Sequence, residues 1–490
     1  MYKKTQRLIK LAILPIAIGL SLSATANEAD NASVELTPCY VKGLEDRMMC
    51  GKVTRPLSDN DQDGQIDVHF AVIPAIKASY PNEAVLAFAG GPGQSAIELA
   101  GHFDRHLSRV REKRDIILVD QRGTGKSQKL QCESDDLTTS YGFNDEIVDI
   151  MQLNAKQVKQ CQQTLDVDLS HFTTPVAAKD FEAVRQALGY MGLHLYGISY
   201  GTRIAQEYMR QFPESVITST LDGVTPMQQS LMAIGHSIDA SLNALFERCE
   251  KDANCATEFP NLQQQFNTLV AQLEQEPVQT AIKHPRTFET IDLVVTKSKF
   301  YSAIRMALYS HATRAMVPLA IKQASNGDYA TLSGLMSGTD LQGTMAMGMH
   351  NAIVCGEDWP KLTEQDRQDF SRSYFGKMMI EGLDTICPIL KVDAVSSDFY
   401  QPLKTDIPTL LLSGQRDPAT PPSWAEMAMV NMTNATHLVS PTATHGVVAQ
   451  TCGKKIVAEF VDKQSMKDVA TECIEQSNDK HFFMNINGVV

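Results

Sequence analysis

The sequence predicts an α/β fold in which a mostly parallel, doubly wound sheet carries a large, mainly helical insertion. Three observations point to it. Short apolar runs rich in β-branched residues alternate with helical patterns, as a parallel sheet covered on both faces requires. Each run ends in a turn, and several of these turns carry glycine or a chemically useful side chain. Between Gly223 and Pro408, about 180 residues change texture to apolar positions at helical spacing, too long a stretch for a bare loop.

The chain opens with a basic stretch from Met1 to Arg7, an apolar run from Leu8 to Leu22, and Ala24-Thr25-Ala26, the layout of a signal peptide over residues 1–26. The apolar run is about fifteen residues long and interrupted by Lys10 and Pro15. A bilayer span takes about twenty, so no stable membrane insertion is expected. The first part of the sheet domain is expected over residues 27–225, with runs at Val85–Phe88, Ile116–Val119, Leu193–Tyr196 and Val216–Leu221. The insertion is expected over 226–400, where Leu231, Ile234, Ile238, Leu242, Leu245 and Phe246, then Leu262, Phe266, Leu269 and Leu273, recur at helical spacing as a cap over a catalytic face. The sheet domain resumes over 401–490 with runs at Thr409–Leu412 and Thr436–Val439.

All ten cysteines follow the leader, and an even set in an exported chain reads as disulfides. Their order suggests local pairs: Cys39 with Cys50, Cys132 with Cys161, Cys249 with Cys255, Cys355 with Cys387, and Cys452 with Cys473. Export to a periplasm or the cell exterior is the expected localisation. The 490 residues are 43% hydrophobic and 21% charged, a globular balance that excludes disorder and coiled coil. The formal net charge of −13 becomes −17 once the leader's Lys3, Lys4, Arg7 and Lys10 are removed, which argues against nucleic acid as a partner.

The most informative segment is Gly197-Ile198-Ser199-Tyr200-Gly201, a G-x-S-x-G pentapeptide directly after an apolar run. Ile204, Ala205, Tyr208, Met209 and Phe212 then form one face of a helix stopped by Pro213, so Ser199 sits at a strand-to-helix turn. A serine hydroxyl is a weak nucleophile and needs a base within hydrogen-bond reach, with a carboxylate to orient that base. In this arrangement the chain order is Ser, acid, His. Asp417 follows one late run and His445 the other. Of the twelve histidines only His437, His445 and His481 come after Asp417, and His437 lies inside its run. Asp222, at the end of the Val216 run, is the rival for the acid. The oxyanion hole is expected from the backbone N–H groups of Tyr200 and of Gly91 in Ala89-Gly90-Gly91-Pro92-Gly93.

These segments resemble the prolyl aminopeptidase and tripeptidyl aminopeptidase family of α/β-hydrolase serine peptidases, especially its exported, larger members. The resemblance is carried in order by Gly90-Gly91-Pro92-Gly93, Asp120-Gln121-Arg122-Gly123-Thr124-Gly125-Lys126-Ser127, Gly197 to Arg203, and the segments with Asp417 and His445, over about residues 36 to 460. Ala89 stands where the family often has His or Asn-Pro. The resemblance implies the α/β-hydrolase fold, no cofactor, and removal of one proline-type residue or a tripeptide from peptides with a free N-terminus. A carboxylester hydrolase using the same triad is the alternative, and a non-catalytic binding protein of this fold a further one. An exopeptidase needs an anion for the substrate's ammonium. Glu357 and Asp358, beside Trp359 and the expected Cys355–Cys387 bridge, are the candidates, with Glu207 a rival.

Three further motifs are weaker. Gly125-Lys126-Ser127 resembles the end of a phosphate loop, but Asp120 stands where that loop needs glycine. Asp59, Asp61, Asp63, Gly64 and Asp67 begin like a calcium loop whose twelfth position is Phe70 instead of Glu, so a hairpin turn is expected and no metal site is assigned. Met345, Met347, Met349 and His350 read as adaptable cap lining instead of soft-metal ligands.

Overall fold

Six parallel strands form the heart of the sheet, five of them mostly buried and the sixth half-buried at its edge. The computed structural model describes residues 34–58, 63–131, 141–146, 150–337, 345–476 and 479–488; the expected leader and the tip of the Asp59–Asp67 motif lie outside them. Three strands precede the parallel set: β1 (Thr37–Cys39), β2 (Met48–Pro56) and β3 (Gln65–Ile73). Next come β4 (Glu83–Phe88), β5 (Asp115–Val119), β6 (Gly192–Ile198) and β7 (Val216–Asp222). Strands β8 (Val278–Lys283) and β9 (Thr290–Val295) form a separate hairpin, and β10 (Thr409–Gly414) and β11 (Ala435–Ser440) complete the main sheet. Its order is β1-β2-β3-β5-β4-β6-β7-β10-β11, parallel from β5 to β11 and antiparallel at the β1–β3 end.

Alternation along the strands divides two cores. Ala84, Leu86 and Phe88 of β4 and Ile117 and Val119 of β5 face one side, while Val85, Ala87, Ile116 and Leu118 face the other. Such two-sided burial is why these strands read as unbroken apolar runs. The antiparallel strands were not foreseen beyond the hairpin turn, because their outer positions are polar. Lys52 and Thr54 on β2 pair with Asp67 on β3 at 2.6 and 2.7 Å, which commits one carboxylate of the calcium-like motif to the sheet.

The segment between β7 and β10 builds its own core. The helices Ile234–Lys251 and Leu262–Gln275 pack Leu242, Leu245, Phe246, Phe266, Leu269 and Leu273 together with Phe300 of the helix Lys297–Ala307. The β8–β9 hairpin is an addition to the helical expectation, and it buries Leu293 and Val295 against those helices. Residues following the last strand also reach this core. Asp479 takes both guanidinium nitrogens of Arg416, at 2.5 and 2.7 Å, and Nε of Arg248 at 3.0 Å; Phe482 is fully buried among the insertion's apolar side chains.

Four of the expected disulfides are present: Cys39–Cys50, Cys249–Cys255, Cys355–Cys387 and Cys452–Cys473. Cys161 is also disulfide-bonded, and its expected partner Cys132 lies outside the described residues. Among the described residues no helix is long and apolar enough to cross a membrane.

Candidate active site

The carboxyl ends of β4, β6, β7, β10 and β11 meet along one edge, since Phe88 lies opposite Gly197, Ile198 opposite Asp222, Leu412 opposite Asp222, and Gly414 opposite Ser440. At this edge the chain turns from β6 straight into the helix Tyr200–Gln211, and Ser199 occupies the turn with φ 57° and ψ −127°. Positive φ in a serine is strained, and a nucleophile elbow is where such strain is found. The turn is possible because Gly201 has no side chain: a Cβ there would come within 2.4 Å of the Phe88 carbonyl oxygen.

Ser199 is held between its neighbours. Its N–H donates to the Asp222 carbonyl at 3.1 Å, and a Cβ built on Gly90 would come within 3.1 Å of the Ser199 Cβ, so the glycine loop after β4 lies directly against the nucleophile. Gly91 in that loop has φ 110°. Tyr200 is the first residue of its helix, whose leading N–H groups have no intrahelical partner and carry the positive end of the helix dipole. Tyr200 follows Ser199 directly, and Gly91 follows the Gly90 that packs on it.

His445 follows β11, and its Nδ1 lies 2.8 Å from Asp417 Oδ2. The Asp417 side chain is fully buried, and its carboxylate also accepts the N–H groups of Ala419 and Thr420 at 2.8 and 3.0 Å and the Thr420 hydroxyl at 2.8 Å. The Thr420 oxygen is itself 3.2 Å from His445 Nδ1. Burial pulls the imidazole pKa down, but the Asp417 charge and hydrogen bond outweigh it and hold His445 above its ordinary value. From the insertion, Tyr309 sets its ring edge-on to His445 at 5.3 Å, and its carbonyl accepts from Thr444 at 2.7 Å. Gly223, next to Asp222, lies so close to the imidazole that a Cβ there would meet Cε1 at 3.2 Å.

Asp222 has different partners. Its carboxylate accepts the N–H groups of Val447 and Val448 at 2.7 and 3.1 Å and the Tyr196 hydroxyl at 3.1 Å, and burial pushes its pKa up to about 6. It anchors the backbone just past His445, whereas Nδ1 belongs to Asp417.

Glu357 and Asp358 lie away from solvent. Both are completely buried, in a π-helical turn (Val354–Asp358) that follows the helix Met347–Ile353. Glu357 accepts the N–H and hydroxyl of Thr174 at 2.6 and 2.9 Å. Asp358 accepts Arg203 Nη1 at 3.1 Å and the Leu231 N–H at 2.9 Å. Arg203 stands four residues after Ser199, so both carboxylates lie beside a buried cation of that helix, at 3.8 Å for Glu357 and 3.1 Å for Asp358. Through Thr174, whose hydroxyl is 2.6 Å from the Tyr200 hydroxyl, Glu357 also braces the side chain of Tyr200. Burial pushes Glu357 up to about 7 despite Arg203. Glu207 lies two turns along the helix and pairs with Gln211 and Arg210.

The remaining motifs support the edge from below. Asp120 accepts Ser95 Oγ at 2.5 Å and the N–H groups of Ile97 and Lys126, and Arg122 forks onto Asp180 at 2.6 and 2.8 Å. His350 Nδ1 lies 3.2 Å from the Pro92 carbonyl, and the Ala346 N–H donates to Gly93 at 2.9 Å, so the methionine-rich segment packs on the glycine loop.

A family model described as the alpha/beta hydrolase fold matches residues 83–258, from β4 through the elbow, and one described as a TAP-like protein matches 372–473, the stretch with Asp417 and His445. The chain has the α/β-hydrolase fold. Serine protease Hip1 of Mycobacterium tuberculosis is 27% identical over 471 residues, covering 87% of this chain and 88% of that protein. Carboxylesterase B of the same species is 25% identical, covering 76% of each chain. Tripeptidyl aminopeptidase of Streptomyces lividans is 25% identical, covering 41% of this chain and 40% of its own. This α/β-hydrolase is a serine hydrolase.

Thr420, Tyr309 and Arg203 were not singled out in the sequence. The first had a signal, a threonine three residues after Asp417 in Asp417-Pro418-Ala419-Thr420, the spacing at which a side chain folds back on a carboxylate.

Proposed function

We propose that this α/β-hydrolase is a serine aminopeptidase that shortens peptides from a free N-terminus through an acyl-enzyme. The observation that carries the reading is the 2.8 Å contact of His445 Nδ1 with Asp417, at the same sheet edge as the strained Ser199 turn and its glycine loop. His445 Nε2 takes the proton as Ser199 Oγ attacks the peptide carbonyl, and the oxyanion forms between the N–H groups of Gly91 and Tyr200. Asp417 holds the ring's orientation and stabilises the imidazolium. His445 then protonates the departing amine, and water releases the acyl group by the reverse proton traffic. The similarity to a serine protease and to a tripeptidyl aminopeptidase supports a peptide substrate. The segment 226–400 acts as a cap over this edge, a role supported by Tyr309 against His445 and Ala346 against Gly93. The leader pattern and the disulfides support export.

The test is mass spectrometry of products from one proline-containing peptide, supplied with a free and with an acetylated N-terminus, using wild type and Ser199→Ala. Shortening of the free peptide alone, by wild type alone, supports the reading, and the fragment mass gives the step size. The similarity to a carboxylesterase favours a second reading, a carboxylester hydrolase. Turnover of simple acyl esters with neither peptide cut decides for it.

A further inference from the structure

Asp222 ends β7 between the two segments on which the proposed mechanism depends. Its backbone carbonyl accepts the Ser199 N–H at 3.1 Å, so the turn that presents the nucleophile is fastened to this residue's main chain. Its side chain reaches the other way. One carboxylate oxygen accepts the Val447 N–H at 2.7 Å and the other the Val448 N–H at 3.1 Å, which fixes the backbone two and three residues after His445. The second oxygen also accepts the Tyr196 hydroxyl at 3.1 Å, and Tyr196 lies on β6, three residues before Ser199. The carboxylate therefore gathers donors from the strand of the nucleophile and from the loop of the base.

All of these groups are withdrawn from water, since Asp222, Tyr196, Val447 and Val448 are each exposed by 1% or less. Burying a carboxylate is costly. What it supplies in return is two acceptor oxygens and no donor, matched to three donors that arrive from two directions. An amide of the same shape offers one oxygen, and its NH2 would face a backbone N–H, donor against donor. Proton transfer from Ser199 to His445 needs their reacting atoms within hydrogen-bond reach, about 2.6–3.2 Å, and a misplacement of about 1 Å can cost roughly 100-fold. Gln450, which donates to the carbonyls of His445 and Gly446 at 2.8 and 3.0 Å, shapes the loop of the base from within that loop. Asp222 instead refers the loop to the turn that carries Ser199.

We propose that Asp222 is a positioning residue that sets where His445 stands relative to Ser199, its main chain holding the turn of the nucleophile and its side chain the loop of the base. The inference rests on the roles given above to Ser199, His445 and Asp417, and it adds a fourth residue that acts only through its neighbours. Asp417 orients the imidazole ring, and Asp222 places the backbone from which that ring projects.

The experiment follows labelling of Ser199 by a fluorophosphonate probe in wild type, Asp222→Asn and Asp222→Glu, at a range of probe concentrations. Three quantities are read: the final extent of labelling, which counts competent sites, the limiting rate, and the probe concentration that gives half of it. Loss of fold lowers the extent, whereas misplacement of the base lowers the limiting rate at full extent. Asp222→Asn is expected to label to the wild-type extent, with a half-saturating concentration within about threefold of wild type and a limiting rate about 10- to 100-fold lower. Asp222→Glu keeps the charge but carries one methylene too many to meet the same donors, and its limiting rate also falls at least about tenfold. Added to His445→Ala, whose residual labelling is slow, Asp222→Asn costs less than about threefold more, because the group it places is gone. The inference is overturned by a limiting rate in Asp222→Asn within about threefold of wild type, or by a normal rate at a reduced extent, which marks a purely structural residue. A normal rate in Asp222→Glu beside a low one in Asp222→Asn overturns it in favour of charge alone, and so does an undiminished loss in the His445→Ala background in favour of an effect unrelated to the base. Wild type that takes no label overturns the assignment of Ser199 and His445 themselves, and this inference with it.

Discussion

Replacing Thr420 by valine tests the wiring of the base more sharply than removing the base itself. The substitution keeps the shape and deletes one oxygen, which donates to Asp417 Oδ2 at 2.8 Å and lies 3.2 Å from His445 Nδ1. Of the four donors around the Asp417 carboxylate, two are backbone N–H groups that survive the change, one is His445, and one is lost. Asp417 and Thr420 are both buried, so solvent does not readily replace the missing donor. A hydrogen bond to a charged group contributes about 1.5–3 kcal/mol. Because the carboxylate's grip on the imidazole matters most when the ring is protonated in the transition state, that loss falls on kcat. It corresponds to roughly a 10- to 150-fold drop at about 1.4 kcal/mol per tenfold. Steady-state kinetics on the peptide established by mass spectrometry read it, with Thr420→Ser as the variant that restores the oxygen. Thr420→Val within threefold of wild type, with an unchanged melting temperature, refutes the coupling.

Three other outcomes are expected. Ser199→Ala loses on the order of 10⁴-fold or more in turnover and all labelling by a fluorophosphonate probe, yet folds; retained labelling would remove Ser199 from the mechanism. The base must be neutral to act, and the raised pKa of His445 places the acid limb of the kcat/KM profile above pH 6.5, with activity rising through it as pH increases. Asp417→Asn removes the charge that raises it and moves the limb down, whereas a wild-type limb below pH 6 contradicts the assignment. Replacing Cys355 and Cys387 by serine frees a loop of 32 residues and lowers stability by about 4 kcal/mol on the chain-entropy estimate. Urea unfolding measures this, and a loss under about 1 kcal/mol refutes a bracing role for the bridge.

What could be read in advance followed from how strongly burial constrains each element. The strands β4, β5 and β10 are covered on both faces, so their sequences are mostly apolar and stand out, while β6, β7 and β11 mix in His194, Thr218, Ser219 and His437 and were found by the apolar residues between them. The antiparallel β1–β3 end mixes Lys52, Thr54, Asp67 and His69 into its strands because one face is polar, and its pattern resembles a metal loop as much as a sheet. Chain order led to Ser199, Asp417 and His445, which the fold gathers at one edge. The burial of Glu357 and Asp358 beside Arg203 was not legible in the sequence, for a physical reason. A local cluster of acid, aromatic and cysteine does not reveal which face it presents, and the cation that consumes it, Arg203, lies about 155 residues earlier on the nucleophile helix. Thr420 escaped notice because its role depends on the backbone curling around Asp417.

The segment carrying Asp479 and Phe482 bears on the order in which the protein is built. Its contacts with the helix Ile234–Lys251 join residues 232 positions apart, as in the bond from Arg248 to the Lys480 carbonyl. The insertion's apolar centre therefore remains unfinished until β10 and β11 and the loops of Asp417 and His445 have been made, since the segment that delivers Phe482 follows them in the chain. Asp479 holds Arg416, the neighbour of Asp417, and Arg248 of the insertion in one ion-pair cluster. Loosening the insertion is then expected to slacken the loop of Asp417, with the two parts melting in one transition.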